Sequence, residues 1–188
     1  VQIIGPHSQT DFVSGYQSKF FGQFGMYTGD QYTAYNPYET EDIQTRLFIL
    51  NHQQGYAEDS NWEASTYYRR NNDHYIFNRF SPNNNFVHET EALAFAFSGV
   101  HTIDDKLSLK YNLQVTADNI ESSTLEQGDF TRRTYSKLSV LPQNIHSLND
   151  KKSLIYKAGA SLDDTNRDSS EFSPMAEISI LTDQGEGH

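Results

Sequence analysis

Residues 106–118 read Lys-Leu-Ser-Leu-Lys-Tyr-Asn-Leu-Gln-Val-Thr-Ala-Asp, and the spacing of apolar positions in this stretch decides the fold. Leu107, Leu109, Tyr111, Leu113, Val115 and Ala117 fall on one face, and Ser108, Lys110, Asn112, Gln114, Thr116 and Asp118 on the other. Successive side chains of a strand point to opposite faces, so this alternation specifies a β-strand with one apolar and one polar side. The run is longer than a usual globular strand of about 5–6 residues. It suffices to cross a bilayer, which takes about 9–11 tilted residues.

Working outward, the same rhythm recurs. Trp62, Ala64, Thr66 and Tyr68 alternate with Glu63, Ser65, Tyr67 and Arg69. Over His88–Gly99, Leu93, Phe95 and Phe97 share a face opposite the small Ala92, Ala94, Ala96 and Ser98. Leu154, Tyr156, Ala158, Ala160 and Leu162 form another face, and Ala176, Ile178 and Ile180 oppose Met175, Glu177 and Ser179. With Gln9–Phe21, Thr40–Leu50 and Thr131–Leu141, about eight strands are expected by this rule. Their connections alternate between two kinds. Asn51–Asn61, His101–Asp105, Pro142–Lys152 and the tail Thr182–His188 form one kind, and the mostly longer Gly22–Glu39, Asn71–Val87, Asn119–Phe130 and Asp164–Ser173 the other. Outer-membrane barrels show this asymmetry of short turns and long loops.

Composition supports an all-β chain and excludes several functions. The 188 residues are 36% apolar, below the roughly 45–50% of soluble domains, yet 13% aromatic, with 12 Tyr and 12 Phe. Mean hydropathy is -0.71. Disordered chains are poor in aromatics. A net charge of -11 argues against nucleic acid as a partner, because phosphate binding needs clustered Lys and Arg. With no Cys there is no disulfide, thiol catalysis or Cys-based zinc site. No stretch approaches the apolar length of a membrane helix. Walker, dinucleotide and Gly-x-Ser-x-Gly signatures are absent, and no enzyme is expected. The seven His residues show no metal-binding spacing.

Two clusters are candidates for a site. Tyr67, Tyr68, Arg69, Arg70, Asp73, His74, Tyr75 and Arg79 would sit on one long hairpin. Tyr68, Arg70, His74 and Arg79 are the candidate ligand contacts there. The competing reading is an aromatic girdle with charge pairs between strands. Asp163, Asp164, Asn166 and Asp168 offer the oxygen ligands that calcium takes, six to eight at a time. Their spacing is not that of an EF-hand, and a β-turn uses Asp and Asn equally well, so the turn is favoured.

The order of motifs adds a family. Phe20-Phe21-Gly22, Met26-Tyr27-Thr28-Gly29, Glu39-Thr40-Glu41-Asp42-Ile43-Gln44-Thr45, Tyr67 through Phe80, His88-Glu89-Thr90, Ala117 through Ser122, Thr131-Arg132-Arg133-Thr134, Asp163 through Ser170 and Ser173-Pro174 follow one another along nearly the whole chain. In that order they resemble the barrel wall of TonB-dependent outer-membrane receptors similar to the cobalamin receptor. The resemblance implies a bacterial outer-membrane location, a lipid-facing exterior and uptake of a scarce nutrient such as cobalamin or an iron chelate. It also implies energy from a TonB complex acting through a plug that this chain lacks. No cofactor follows from it beyond calcium in an outer loop.

The expected fold is therefore an all-β, antiparallel up-and-down transmembrane β-barrel, present as about eight strands of the larger barrel of about 22 that such transporters form. The plug and the closing C-terminal strands are expected to lie outside residues 1–188. Leu107, Leu109, Tyr111, Leu113 and Val115 would face lipid, and Lys110, Asn112, Gln114 and Thr116 the lumen. Two alternatives stay open: a soluble antiparallel β-sheet domain that binds carbohydrate or protein, and a small closed eight-stranded barrel.

Overall fold

A computed structural model describes residues 1–22, 38–55, 59–125, 131–149 and 151–182. The motif Met26-Tyr27-Thr28-Gly29, most of the connection Gly22–Glu39 and the tail after Thr182 lie outside the described residues. The chain is all-β: β1 (Gln2–Ile4), β2 (Ser8–Gly22), β3 (Thr40–Gln54), β4 (Asn61–Ile76), β5 (Asn85–Thr102), β6 (Leu107–Ser122), β7 (Arg132–Asn149), β8 (Lys152–Thr165) and β9 (Asp168–Thr182). They form one sheet in which every strand is antiparallel to its neighbour and spatial order equals chain order. The sheet is not closed, since the first and last strands, β1 and β9, do not pair with each other. Among the described residues no helix is long and apolar enough to cross a membrane, which leaves crossing by strands unaddressed.

Nine strands replace the expected eight because the three residues of β1 fold back on β2, a pairing too short to register as alternation. Two expected connections are strand instead. β7 runs through Pro142 to Asn149. Its ladder to β8 skips Leu141 and Pro142, where a proline has no N–H to donate. At the other end, Asp164–Ser173 is a tight hairpin with only Asn166 and Arg167 between β8 and β9. This stretch reads as loop because Phe172 is its one apolar side chain, although its backbone continues the ladder on either side of the turn.

One layer of sheet leaves no interior. Tyr75, at 7% exposure, is the only buried hydrophobic side chain among the described residues. Nothing among them covers the face carrying Phe48, Leu93, Phe95, Val115 and Leu138, all of them exposed.

Candidate functional site

Pairing register assigns every side chain to a face, because residues directly opposite each other in a ladder point the same way. Starting from Leu113, the register runs through Phe97 on β5 and Ala64 on β4 in one direction, and through Leu138 on β7 and Leu162 on β8 in the other. Continued outward, the same face holds Phe12 on β2, Phe48 and Leu50 on β3, and Phe172, Ile178 and Ile180 on β9. One face is therefore apolar across β2–β9. The opposite face carries Lys110, Asn112, Gln114, Thr116 and Asp118 on β6, with Arg69 and Asp73 on β4 and Lys137 on β7.

On the apolar face, towards the β3–β4 turn, aromatic rings form a row. His52 and Trp62 have centroids 5.1 Å apart, Trp62 and Phe97 5.7 Å, and Phe97 and Tyr111 5.5 Å. Gly99 stands between Trp62 and Tyr111 in register. A Cβ there would meet the Tyr111 hydroxyl at 2.5 Å, so the tyrosine lies over the glycine.

Towards the opposite end, the apolar face gives way to charge. Arg46 and Arg70 face each other across β3 and β4. Arg70 donates to Glu89 at 2.6 Å and lies 3.7 Å from Glu91, which also accepts from the Tyr68 hydroxyl at 3.0 Å. The structure thus brings Tyr68 and Arg70 together, on the apolar side of the sheet. His74 lies further along that side, opposite Asp42 and Val87. Arg79 is apart from both, its guanidinium 4.9 Å from the Phe80 ring centroid and 5.9 Å from that of Tyr38, in the β4–β5 connection.

The polar face joins Arg69 to residues that the sequence did not group with it. Leu47, Arg69, Ala92, Asp118 and Arg133 form one row across five strands. Arg133 donates through Nε to Asp118 at 2.9 Å and again through Nη2. A cavity of about 280 Å³ lies over this row, bordered by Arg69, Thr90, Asp118, Ile120, Arg133 and Arg167. Nearer the loops, Glu41 at 3% exposure sits by Asp73, and one carboxylate oxygen of each is buried without a hydrogen-bond partner. Burial, then the charge of Asp73, then a hydrogen bond shared with it hold the Glu41 carboxyl above its ordinary value of 4.5. Glu41 lies well beyond the apolar stretch of β3. Asp73 is directly opposite His88, whose Nδ1 is 2.6 Å from the Ser122 hydroxyl.

The acidic cluster near the β8–β9 turn is divided. Asp163 accepts from the Tyr135 hydroxyl at 2.5 Å and lies 3.3 Å from the Lys137 ammonium. Its neighbour Asp164, on the other face, accepts from Ser170 at 2.6 Å. Asn166 uses both ends of its amide as a strand would, accepting from the Thr134 N–H at 2.9 Å and donating to the Arg132 carbonyl at 3.1 Å. Asp168 accepts from the Ser169 N–H at 3.0 Å. Each residue serves the hairpin, and among the described residues no group of three or more His, Cys, Asp or Glu side chains is gathered for a metal.

No family model, no curated protein and no solved structure matches this chain.

Proposed function

We propose that this chain is wall from an outer-membrane β-barrel of the TonB-dependent receptor kind. Its apolar face lies against lipid, and its polar face lines a lumen through which a scarce nutrient is bound and imported. The observation that carries the reading is the uncovered apolar face itself, continuous from β2 to β9 on a single-layer sheet. A water-soluble monomer hides such a face, because exposed apolar patches beyond a few hundred Å² mark a surface that contacts something else. An acyl-chain environment covers it without a second layer. The charged Arg70 network towards one end then stands where headgroups meet water. The open edges at β1 and β9 fit a segment that continues into further strands, since unpaired edges are not tolerated in lipid. The resemblance of the ordered motifs to TonB-dependent receptors supports the transport role, and the energy complex would act through a plug.

The chain has no native Cys, so single cysteines report unambiguously. A fluorophore on Leu113→Cys should be quenched by lipids brominated in their acyl chains, and one on the adjacent Asn112→Cys should not. Equal quenching at the two positions, or none at Leu113→Cys, would rule the wall out.

A further inference from the structure

We infer that the polar-face cavity over Ala92 binds a small anion presenting carboxylate or phosphate oxygens, held by Arg69, Arg133 and Arg167. The inference deepens the wall reading and rests on it, in that the polar face must open to water. Its starting point is a contrast between adjacent residues. Arg70, on the apolar side, is answered by Glu89 and Glu91. Arg69, on the polar side, has Leu47 and Ala92 directly opposite it, and Thr45, Ile49, Thr90 and Ala94 on the diagonals. None of these is acidic. Among the described residues Arg69 forms no ion pair, and it borders a cavity together with two more guanidinium groups.

The acidic groups nearby do not cancel that charge. The Asp118 carboxylate is taken by Arg133, which fixes the direction of that guanidinium. Glu91 also borders the cavity, but its carboxylate is engaged with Tyr68 and Arg70 on the other side of the sheet. The small side chain of Ala92 stands in the row between Arg69 and Asp118 and leaves the floor open. Adjacent strands lie about 4.8 Å apart, so Arg69 and Arg133 reach towards a common space from strands roughly three spacings apart. Planar guanidinium forks match carboxylate and phosphate oxygens in pairs. The volume of about 280 Å³ lies near the lower end of ligand pockets, about 300–1,000 Å³. It therefore admits a small anion or one charged arm of a larger ligand.

The test is calorimetric titration of the detergent-solubilised full chain with citrate and, separately, inorganic phosphate at low salt. Saturable binding of at least one is expected, about ten- to a hundred-fold weaker in Arg69→Gln and less affected by Arg70→Gln, with the β-type circular dichroism of both variants intact. Absence of binding by both anions overturns the inference. So does equal affinity in wild type and Arg69→Gln, or an equal loss in Arg70→Gln. Lipid quenching at Leu113→Cys judges the wall separately. Binding through Arg69 without quenching would keep the site and discard the wall, and quenching without binding would discard the site alone.

Discussion

Arginine scanning along the apolar face of β6 tests the proposed wall by depth. The apolar positions run from Leu107 to Ala117, ten steps of about 3.3 Å, or roughly 33 Å of strand. At a tilt of about 40° this spans roughly 25 Å, the height of the lipid-facing band of outer-membrane barrels. Leu113 lies about 15 Å above the Leu107 edge on that scale, a few ångströms from the middle. Its row neighbours Phe97 and Leu138 supply no charge or polar group to receive a guanidinium. Leu113→Arg should therefore cost about 3 kcal/mol, within the roughly 2–4 kcal/mol found at mid-bilayer, while Leu107→Arg at the edge should cost about 0–1 kcal/mol. Leu109→Arg should fall between. Asn112→Arg, on the polar face, should be near neutral. The assay is urea titration of the protein folded into phosphatidylcholine vesicles, with the folded fraction read from heat-modifiable gel mobility. A soluble core would penalise burial at Leu107, Leu109 and Leu113 without regard to depth in a bilayer. A flat series, or damage at Asn112→Arg equal to that at Leu113→Arg, refutes the reasoning.

Three further outcomes follow from particular contacts. Because folding raises the Glu41 pKa, its protonated form favours the fold: that contribution is complete below the unfolded value near 4.5 and is lost as pH rises through the raised folded value. Glu41→Gln should thus stabilise the protein at neutral pH, with the advantage shrinking as pH falls towards 4.5 in the same urea assay, and a pH-independent difference would contradict the shared-proton geometry. In the β5–β6 turn, Asp104 accepts from the N–H groups of Lys106 at 2.8 Å and Leu107 at 2.9 Å, and these bonds lower its carboxyl pKa. Its contribution is present above the unfolded value of 3.8 and lost as pH falls through the lower folded one. Asp104→Ala should weaken the hairpin at neutral pH, whereas Asp104→Asn should retain it with less dependence on acid, as measured by amide exchange of the turn. Gly99→Ala should cost about 1–3 kcal/mol by overpacking, since its Cβ would meet both the Tyr111 hydroxyl and the Asn61 carbonyl at 2.5 Å. Trp62 is the single tryptophan and belongs to the same aromatic row, so a shift in its emission reads the displacement directly.

The parts of the fold legible in the sequence are those where the two faces differ in chemistry. On β6 the contrast is complete, and the strand appears as expected from Leu107 onward. The same contrast locates β4, β5 and β8 and separates Leu93, Phe95 and Phe97 from Ala92, Ala94 and Ala96. Where both faces are polar the alternation vanishes while the backbone ladder continues. Within the expected loops Pro142–Lys152 and Asp164–Ser173, residues 142–149, 164–165 and 168–173 are strand by hydrogen bonding and mostly polar in composition. Strand ends beyond the apolar band share the property, as at Thr40–Ile43 and Asn71–Ile76.

The site was harder to read because it depends on register. Within one strand, parity says only that Arg69 and Arg70 point opposite ways. Which arginine meets acid and which meets a cavity is settled by what stands opposite on β5: Ala92 for Arg69, Glu91 for Arg70. A slip of one residue would change those partners, setting Arg69 against Glu91 and Arg70 against Thr90, and would turn every side chain of a strand to the other face. The sequence reading grouped Tyr68, Arg70, His74 and Arg79 by proximity in the chain, whereas the polar-face row joins Arg69, Asp118 and Arg133 from strands far apart in it. Asp118 and Arg133 stand within motifs noted for their order, but only the pairing of β6 with β7 makes them an ion pair. In the proposed wall, binding chemistry can vary at one parity while lipid contact is preserved at the other. The two functions of a strand are then separable by substitutions one residue apart, and Leu113 against Asn112 and Arg70 against Arg69 are the pairs on which that separation should be measurable.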